Sequence, residues 1–287
     1  MNEQWLISRI APLAGKRSEL IRGIGDDCAV YRSPGAKDDL VFTTDMLIED
    51  VHFRLGTHKA EEIGHKALAR GLSDIAAMGA EPRFCLLSIA ISEAVSKRWI
   101  DGFYRGLLKL AGRTGTVLAG GDLSHAATIC CDITVCGSVP KGRALLRSGA
   151  KPGDHIYVSG VLGAAAVALE AGKAHRPEPR LELGLRLRKN ASAAMDLSDG
   201  LSTDLRRLCL ASSVSAELSG HMPVAPGASI EQALHGGEDY ELLFTSPPGK
   251  RPPLGTTNIG TIIDGKSGAI RLGGKPLRAR GYDHFQK

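Results

Sequence analysis

Hydrophobic positions in the first half of the chain alternate between helical and strand-like spacing. Residues 57–79 place apolar side chains three and four positions apart, which is typical of an amphipathic helix. Thr57 is the predicted N-cap, Gly79 is the predicted C-cap, and Pro82 prevents the helix from continuing. A second helix is predicted at residues 96–112, and strands are predicted at 41–44, which ends in an acidic turn, 84–91 and 129–139.

The second half of the chain shows the same mixture. Residues 155–159 predict a strand that leads through Gly160 and Gly163 into an Ala-rich helix. A further helix is predicted at 199–211, and strands are predicted at 240–245, 258–263 and 269–272. Because helices and strands mix in both halves, the predicted fold class is α/β or α+β.

Between the halves, residues 141–153 are basic and rich in turn-forming Gly and Pro. We place a domain boundary there, which gives an N-terminal domain at 1–142 and a C-terminal domain at 143–287. A chain of 287 residues is long enough for two such domains.

Composition narrows the class of protein. Hydrophobic residues make up 43% and charged residues 23%, as in ordinary globular proteins, which argues against long disorder and against a fibrous fold. The 35 glycines follow no fixed period, so they indicate tight turns and close backbone approaches and not collagen. The net charge of +5 comes from dispersed basic residues without an aromatic-rich strand motif, so we expect no nucleic-acid partner.

The environment of the protein is predicted from three features. The first ten residues carry Glu3 and lack a long apolar core, so we expect no signal peptide. The apolar stretch 161–169 is too short to span a membrane. Six cysteines occur without a C-x-x-C pair, which argues against a thiolate zinc site and favours reduced thiols. We therefore expect a cytoplasmic protein without a membrane partner.

Acidic residues stand beside Gly, Ser or Thr in six apolar settings. These are Gly23–Asp27, Thr43–Asp45, Leu72–Asp74, Gly120–Asp122, Asp196–Gly200 and Gly236–Tyr240. A turn or a helix cap explains any single one of them. Asp74 is harder to explain in this way, because an unpaired carboxylate beside the apolar stripe of a helix is unfavourable.

Taken together, the six clusters predict a site for several Mg²⁺ ions and a polyphosphate. Mg²⁺ prefers oxygen ligands and bridges carboxylates to phosphates, and Gly lets backbone N–H groups approach phosphate oxygens. Neither G-x-x-x-x-G-K-[ST] nor G-x-G-x-x-G at a strand–helix junction occurs, so ATP would bind outside the common nucleotide folds.

These clusters occur in the order seen in thiamine-monophosphate kinases, which the chain resembles over nearly its whole length. The most discriminating motifs are residues 43–53, which contain His52, and Gly-Tyr-Asp-His-Phe at 281–285. The resemblance implies a two-domain fold like that of aminoimidazole-ribotide synthetase and a homodimer formed through the sheet of the N-terminal domain. It also implies ATP-dependent phosphorylation of thiamine monophosphate to thiamine diphosphate.

The resemblance further implies roles for individual residues, matched motif by motif. The implied Mg²⁺ ligands are Asp27, Thr43, Thr44, Asp45, Asp74, Asp122, Asp196 and Asp199. The implied ATP contacts are Tyr104, Gly121, Asp122, Arg147 and Ser198, and the implied substrate contacts are His52, Glu238 and Tyr282. Catalysis is expected to depend most on Asp45, Asp74 and Asp122 through metal positioning. No general base is assigned, since a phosphate acceptor needs no deprotonation by a strong base near pH 7.

Two other functions remain open at this point. One is a different ATP-dependent synthetase of the same superfamily, and a substrate screen would distinguish it. The other is a regulatory protein that binds nucleotide without turnover, which the large number of candidate metal ligands disfavours.

Overall fold

The structure, a computed structural model, describes residues 3–285 and contains two β-sheets. The first sheet has six strands: β1 (Leu20–Arg22), β2 (Ala29–Tyr31), β3 (Asp38–Ile48), β4 (Glu81–Ile91), β5 (Val117–His125) and β6 (Cys130–Pro140). Their order is β1-β2-β3-β6-β4-β5, and every neighbouring pair is antiparallel except β4 and β5.

The first half of the chain also contains three α-helices. They are α1 (Glu3–Ile10), α2 (Ala60–Ala77) and α3 (Lys97–Thr114), and a short 3-10 helix at Ala11–Leu13 follows α1. Helix α2 lies against β3 and β6 and also contacts α3. A Cβ atom at Gly64 would lie 1.9 Å from the carbonyl oxygen of Phe103. Gly64 therefore permits the close approach of α2 to α3.

Helix α2 is shorter than the sequence pattern predicts, and its predicted N-cap is wrong. The N-cap residue is Lys59, whose backbone N–H donates to Glu62 Oε2 at 2.8 Å. The hydroxyl of Thr57 lies 2.9 Å from Nδ1 of His58 instead. Gly79 follows the last turn with φ +64°, the left-handed conformation expected where a helix ends.

Strand β3 is longer than predicted. It pairs with β6 without interruption from Asp38 opposite Pro140 to Ile48 opposite Cys130. Asp45 therefore lies inside a strand and not in the predicted acidic turn. The continuous ladder of backbone hydrogen bonds overrides the local tendency of an acidic residue to form a turn.

The first sheet has one face that faces away from α2, which we call the open face. Met46, Asp132, Ser88 and Asp122 are direct partners across β3, β6, β4 and β5, so their side chains share this face. Three large apolar side chains on this face are exposed: Met46 by 51%, Leu86 by 38% and Phe84 by 36%. Strand β5 forms one edge of the sheet.

The second sheet has seven strands from the second half of the chain. They are β7 (His155–Ser159), β8 (Ala193–Asp196), β9 (Ser215–Leu218), β10 (Leu242–Ser246), β11 (Thr256–Ile263), β12 (Ile270–Leu272) and β13 (Lys275–Leu277). Their order is β13-β12-β9-β11-β7-β10-β8. The helices of this half are α4 (Ala164–Glu170), α5 (Leu181–Leu187), α6 (Leu201–Ser212) and α7 (Ile230–His235). The expected mixed α/β class is confirmed.

The two halves are packed against each other through α2 and α5. A Cβ atom at Gly184 of α5 would lie 2.0 Å from the carbonyl oxygen of Ala76 in α2. One hydrophobic cluster combines Ala76 with Leu187 and Phe244, which come from both halves. The predicted domain boundary between 142 and 143 lies in the connection from β6 to β7 and stays a prediction.

Within residues 3–285, none of the helices combines the length and the apolar character that crossing a bilayer requires.

Candidate active site

Three carboxylates from distant parts of the sequence converge at the junction of the two halves. Asp27 lies in the loop before β2, Asp74 lies in α2, and Asp196 ends β8. One oxygen atom from each lies within 4.8 Å of the others, and Asp27 and Asp196 are buried. Burial raises the pKa of all three carboxyl groups, and for Asp74 the charge of Asp196 raises it further.

Each of these carboxylates has one neighbour that orients it. The hydroxyl of Thr43 donates to Asp74, and that of Ser73 donates to Asp196 Oδ2 at 2.7 Å. Nε of Arg147 donates to Asp27 Oδ1 at 3.0 Å. Oδ2 of Asp27 is buried and has no hydrogen-bond partner among residues 3–285. A set of carboxylate and hydroxyl oxygens with an unpartnered acceptor is the donor chemistry that Mg²⁺ prefers.

Asp26, next to Asp27 in the sequence, contacts other residues than the carboxylate cluster. Its Oδ1 accepts a hydrogen bond from the backbone N–H of Arg147 at 2.9 Å, and its Oδ2 lies 3.0 Å from Nε of Arg22. Burial raises the pKa of Asp26 to about 6. These contacts show Asp26 shaping the loop, whereas Asp27 joins the carboxylate cluster.

Asp45 is held by Arg70, a residue that the sequence motifs did not indicate. Nη2 of Arg70 donates to Asp45 Oδ1 at 3.2 Å, and Nη1 donates to the carbonyl of Met46 at 2.8 Å. Burial raises the pKa of Asp45, and the charge of Arg70 opposes that change. The signal for Arg70 in the sequence is its position four residues before Asp74 on a buried helix face.

Asp199 is held by a second arginine that the sequence did not reveal. Arg207 donates to Asp199 and also to Asp204 Oδ1 at 3.1 Å. The carboxylate of Asp204 in turn accepts from the backbone N–H of Asp199 at 3.0 Å. Helix α6 begins at Leu201 and not at Asp199, so the predicted start of this helix is wrong by two residues.

The three predicted substrate contacts lie close to one another. Nζ of Lys66 donates to Glu238 Oε2 at 2.7 Å and to the backbone carbonyl of His52 at 2.9 Å. The ring of His284 lies 5.2 Å from that of His52 and 4.8 Å from that of Tyr282. Tyr282 also joins this group to Asp199, since its N–H donates to the carbonyl of Asp199 at 3.0 Å.

His52 presents a donor without an acceptor. Its Nδ1 accepts a hydrogen bond from the backbone N–H of Ile48 at 3.0 Å. Burial lowers the pKa of His52 to about 3, which makes the ring neutral. Because Nδ1 accepts a hydrogen bond, the one ring proton is on Nε2. That Nε2 atom is buried, and no residue in the part of the chain that the structure describes forms a hydrogen bond with it. A buried donor of this kind is unfavourable until a ligand satisfies it.

Two predicted metal ligands lie away from the carboxylate cluster. Thr44 and Asp122 are on the open face, whereas Thr43 is on the face toward α2. The hydroxyl of Thr44 donates to Asp132 Oδ1 at 2.6 Å. The segment with Gly121 and Asp122, which resembled a turn in the sequence, lies within strand β5. A single chain therefore does not bring all eight predicted ligands together.

The predicted ATP contacts are also divided. Arg147 lies at the carboxylate cluster, and the carbonyl of Ser198 accepts from the N–H of Glu238 at 2.7 Å. Gly121 lies on the edge strand β5, where its φ is +151° and a Cβ atom would lie 1.8 Å from the carbonyl oxygen of Leu87. Tyr104 in α3 is half-buried and meets Phe103 edge to face.

Comparison with known proteins agrees with this architecture. The model of the family described as AIR synthase related protein, N-terminal domain, matches residues 25–139. The thiamine-monophosphate kinase of Salmonella typhimurium is 38% identical, and the alignment covers 94% of this chain and 93% of the relative. The chain belongs to the thiamine-monophosphate kinase family. A Bacillus subtilis member of this family is 37% identical, over 85% of this chain and 83% of its own.

Solved structures extend the likeness to the whole fold. A structure of AaThiL complexed with AMPPCP and TMP matches with a TM-score of 0.89 and 31% identity, over 99% of this chain and 97% of that one. Thiamine-monophosphate kinase from Stenotrophomonas maltophilia matches with a TM-score of 0.78 and 37% identity, over 95% and 96%. The expected resemblance to thiamine-monophosphate kinases and to the aminoimidazole-ribotide-synthetase-like fold is confirmed.

Proposed function

We propose that this chain is a thiamine-monophosphate kinase, which uses ATP to convert thiamine monophosphate to thiamine diphosphate. The observation that carries the proposal is the convergence of Asp27, Asp74 and Asp196 within 4.8 Å. This cluster lies in a chain whose fold matches that of a relative complexed with AMPPCP and TMP. A site rich in carboxylates is suited to bind two polyanions through divalent cations.

The proposed metal is Mg²⁺, bound as several ions. Asp27, Asp74 and Asp196 would hold it together with Asp45, Asp199 and Thr43. When bound, Mg²⁺ neutralises part of the charge of two polyanions and holds them in line. The unpartnered Oδ2 of Asp27 and the raised pKa values of the three carboxyl groups support this role, because a cation would relieve both conditions.

The proposed chemistry is a direct transfer. An oxygen of the acceptor phosphate attacks the γ-phosphorus of ATP, the bond from that phosphorus to the β–γ bridging oxygen breaks, and ADP leaves. A phosphate oxygen is already deprotonated near pH 7, so no side chain acts as a general base. The contribution of this chain is therefore to bind, orient and shield the reacting groups.

One group of side chains is proposed to bind ATP, and a second group is proposed to bind the acceptor. Arg147 is proposed to contact the phosphates of ATP, because its guanidinium can make two parallel hydrogen bonds and already lies beside Asp27. Ser198, Gly121, Asp122 and Tyr104 complete the proposed ATP contacts. His52, Glu238 and Tyr282 are proposed to bind the acceptor, where Glu238 supplies a negative charge opposite the cationic thiazolium ring and Tyr282 supplies an exposed aromatic surface.

We also propose that two copies of the chain associate through the open face and the edge strand β5. The open face exposes Met46, Phe84 and Leu86, and an unpaired edge strand is a ready site for association. Thr44 and Asp122 lie on that face, away from the carboxylate cluster of their own protomer. In the proposed homodimer, these two residues contribute to a site formed at the interface.

The proposed location is the cytoplasm. All six cysteines are free, and five of them are buried. This condition agrees with a reducing compartment.

A direct assay tests the proposed function. Purified protein is incubated with MgATP and thiamine monophosphate, and thiamine diphosphate and ADP are separated by chromatography. Equal amounts of both products are expected, and EDTA should abolish their formation. Binding of MgATP without product would overturn the kinase proposal and favour a regulatory protein. Turnover only with another acceptor in a substrate panel would indicate a different synthetase.

A further inference from the structure

Lys66 is a buried cation that the proposed chemistry does not yet use. It lies in α2, with Arg70 four residues and Asp74 eight residues further along the same side of the helix. Lys66 is only 4% exposed. A buried ammonium group is strongly unfavourable unless it is paired and hydrogen-bonded, so its presence needs a specific partner.

The partners of Lys66 come from two separate loops. Its Nζ donates at 2.7 Å to Oε2 of Glu238, which lies between α7 and β10. The same Nζ donates at 2.9 Å to the backbone carbonyl of His52, in the loop after β3. Both loops contain a non-glycine residue with a positive φ, namely Glu238 at +67° and Asp50 at +63°. Such conformations persist only where surrounding contacts hold them.

We propose that Lys66 is a positioning residue of the acceptor site, which fixes Glu238 and the His52 loop relative to each other and so sets the affinity for thiamine monophosphate. This inference rests on the proposed function, because it assigns His52 and Glu238 to the acceptor. Lys66 acts through these two residues and does not itself touch the substrate.

The geometry of the ion pair leaves Glu238 able to bind a second cation. Lys66 forms a hydrogen bond with Oε2 of Glu238, and the side chain of Glu238 is still 35% exposed to solvent. Burial raises the pKa of Glu238, but the charge and the hydrogen bond of Lys66, together with the charge of Arg70, outweigh this and lower the pKa overall. Glu238 is therefore ionised, and its negative charge complements the permanent positive charge of a thiazolium ring.

The bond to His52 serves the other acceptor contact. Lys66 holds the backbone carbonyl of His52, and the N–H of Ile48 holds the ring atom Nδ1 of His52. The unpartnered Nε2–H group of the ring therefore points in one fixed direction. A donor held in this way binds an acceptor atom with little loss of conformational freedom. Loss of Lys66 would free both Glu238 and the His52 loop while leaving Arg147 and the carboxylate cluster in place.

The test compares two Michaelis constants in the full-length protein. Lys66→Met removes the ammonium group but keeps an unbranched side chain of similar length. Lys109→Met, on the exposed side of α3, is the matched control for the loss of one positive charge. Lys66→Arg keeps the charge and tests rescue. Thermal melting checks folding, and Lys66→Gln is used in the same titrations if Lys66→Met does not fold.

For Lys66→Met we expect KM for thiamine monophosphate to rise about tenfold or more, since a hydrogen bond to a charged group is lost. KM for MgATP should stay within twofold, Lys66→Arg should recover part of the loss, and Lys109→Met should match the wild type. Equal changes in both KM values, or an unchanged KM for thiamine monophosphate, would overturn the role of Lys66. A wild-type protein that does not convert thiamine monophosphate would instead overturn the proposed function.

Discussion

Ser73 donates a 2.7 Å hydrogen bond to Asp196, and both side chains are buried. Ser73 lies in α2, which packs on the first sheet, whereas Asp196 ends β8 of the second sheet. Asp74 follows Ser73 directly and brings its carboxylate to the same place. The geometry of the candidate metal site thus depends on how the two halves of the chain are joined.

Replacement of Asp74 by Asn should separate activity from stability. We expect at least a 100-fold loss of turnover, because metal positioning contributes several kcal/mol and each 1.36 kcal/mol is about tenfold in rate. The metal-free protein should be as stable as the wild type or more stable, because one of three crowded carboxylates is removed. Steady-state assays and thermal melting with and without Mg²⁺ measure these effects.

The control for this variant is Asp101→Asn, on the exposed side of α3. Mg²⁺ should raise the melting temperature of the wild type and of Asp101→Asn, and it should have much less effect on Asp74→Asn. A loss of only a few-fold in the turnover of Asp74→Asn would contradict the metal-positioning role.

Replacement of Arg147 by Lys should weaken ATP binding. Lysine keeps the charge but lacks the planar guanidinium that makes two parallel contacts to a phosphate, so KM for ATP should rise about tenfold. Arg98→Lys, at an exposed position of α3, is the matched control. The measurement is a titration of MgATP at saturating thiamine monophosphate. An unchanged KM for ATP would show that Arg147 serves Asp27 alone.

A charge on the open face should prevent association of two copies. Leu86→Glu places a carboxylate among exposed apolar side chains, and we expect sedimentation velocity to show a monomer with little activity. Leu108→Glu changes an exposed leucine of α3 and should leave the assembly unchanged. A wild-type protein that sediments as a monomer at assay concentration and is fully active would rule out the proposed interface.

The pair of Arg32 and Asp39 should make stability depend on pH. Nε of Arg32 donates to Asp39 at 2.6 Å, and the hydrogen bonds from Arg32 lower the pKa of Asp39 below its usual value of 3.8. Because the folded pKa is lower than the unfolded one, the stabilisation is present above about pH 4 and is lost as the pH falls through the folded pKa.

Asp39→Asn should therefore be about 1–3 kcal/mol less stable than the wild type near pH 7, and the difference should shrink below pH 4. Urea unfolding at several pH values measures it. Asp38→Asn, at the exposed neighbouring position of β3, is the matched control. A constant difference from pH 7 to pH 3 would exclude ionisation of Asp39 as the cause.

Helical periodicity was a sound guide to α2 and α3, because their apolar positions recur over 18 residues each. Several short elements were not predicted, among them β8 and β9 with four residues each, since so few positions define no period. Strand β5 was missed for a different reason. Its Gly-Gly-Asp segment has the composition of a turn, and only pairing with β4 makes it a strand.

The residues of the candidate site also divide into those that the sequence indicated and those that it did not. Acidic residues beside Gly, Ser and Thr indicated Asp27, Asp74 and Asp196, and the structure brings these three together. Lys66 and Arg70 were not indicated, because charged residues in a helix are usually solvated. Their roles depend on partners elsewhere in the chain, such as Glu238, which lies 172 positions after Lys66. The local pattern, such as the spacing of four residues between Arg70 and Asp74, does not identify such distant partners.

Helix α2 also fixes the distance between the acceptor contacts and the carboxylate cluster. Lys66 and Asp74 are eight residues apart on a rigid helix, which separates them by about 12 Å along its axis. The contact of Lys66 with Glu238 marks where a cationic ring would be held, and Asp74 marks where phosphates would react. Compounds with a shorter or longer chain between ring and phosphate would hold one end correctly and misplace the other. The enzyme would then select its acceptor by molecular length as well as by charge.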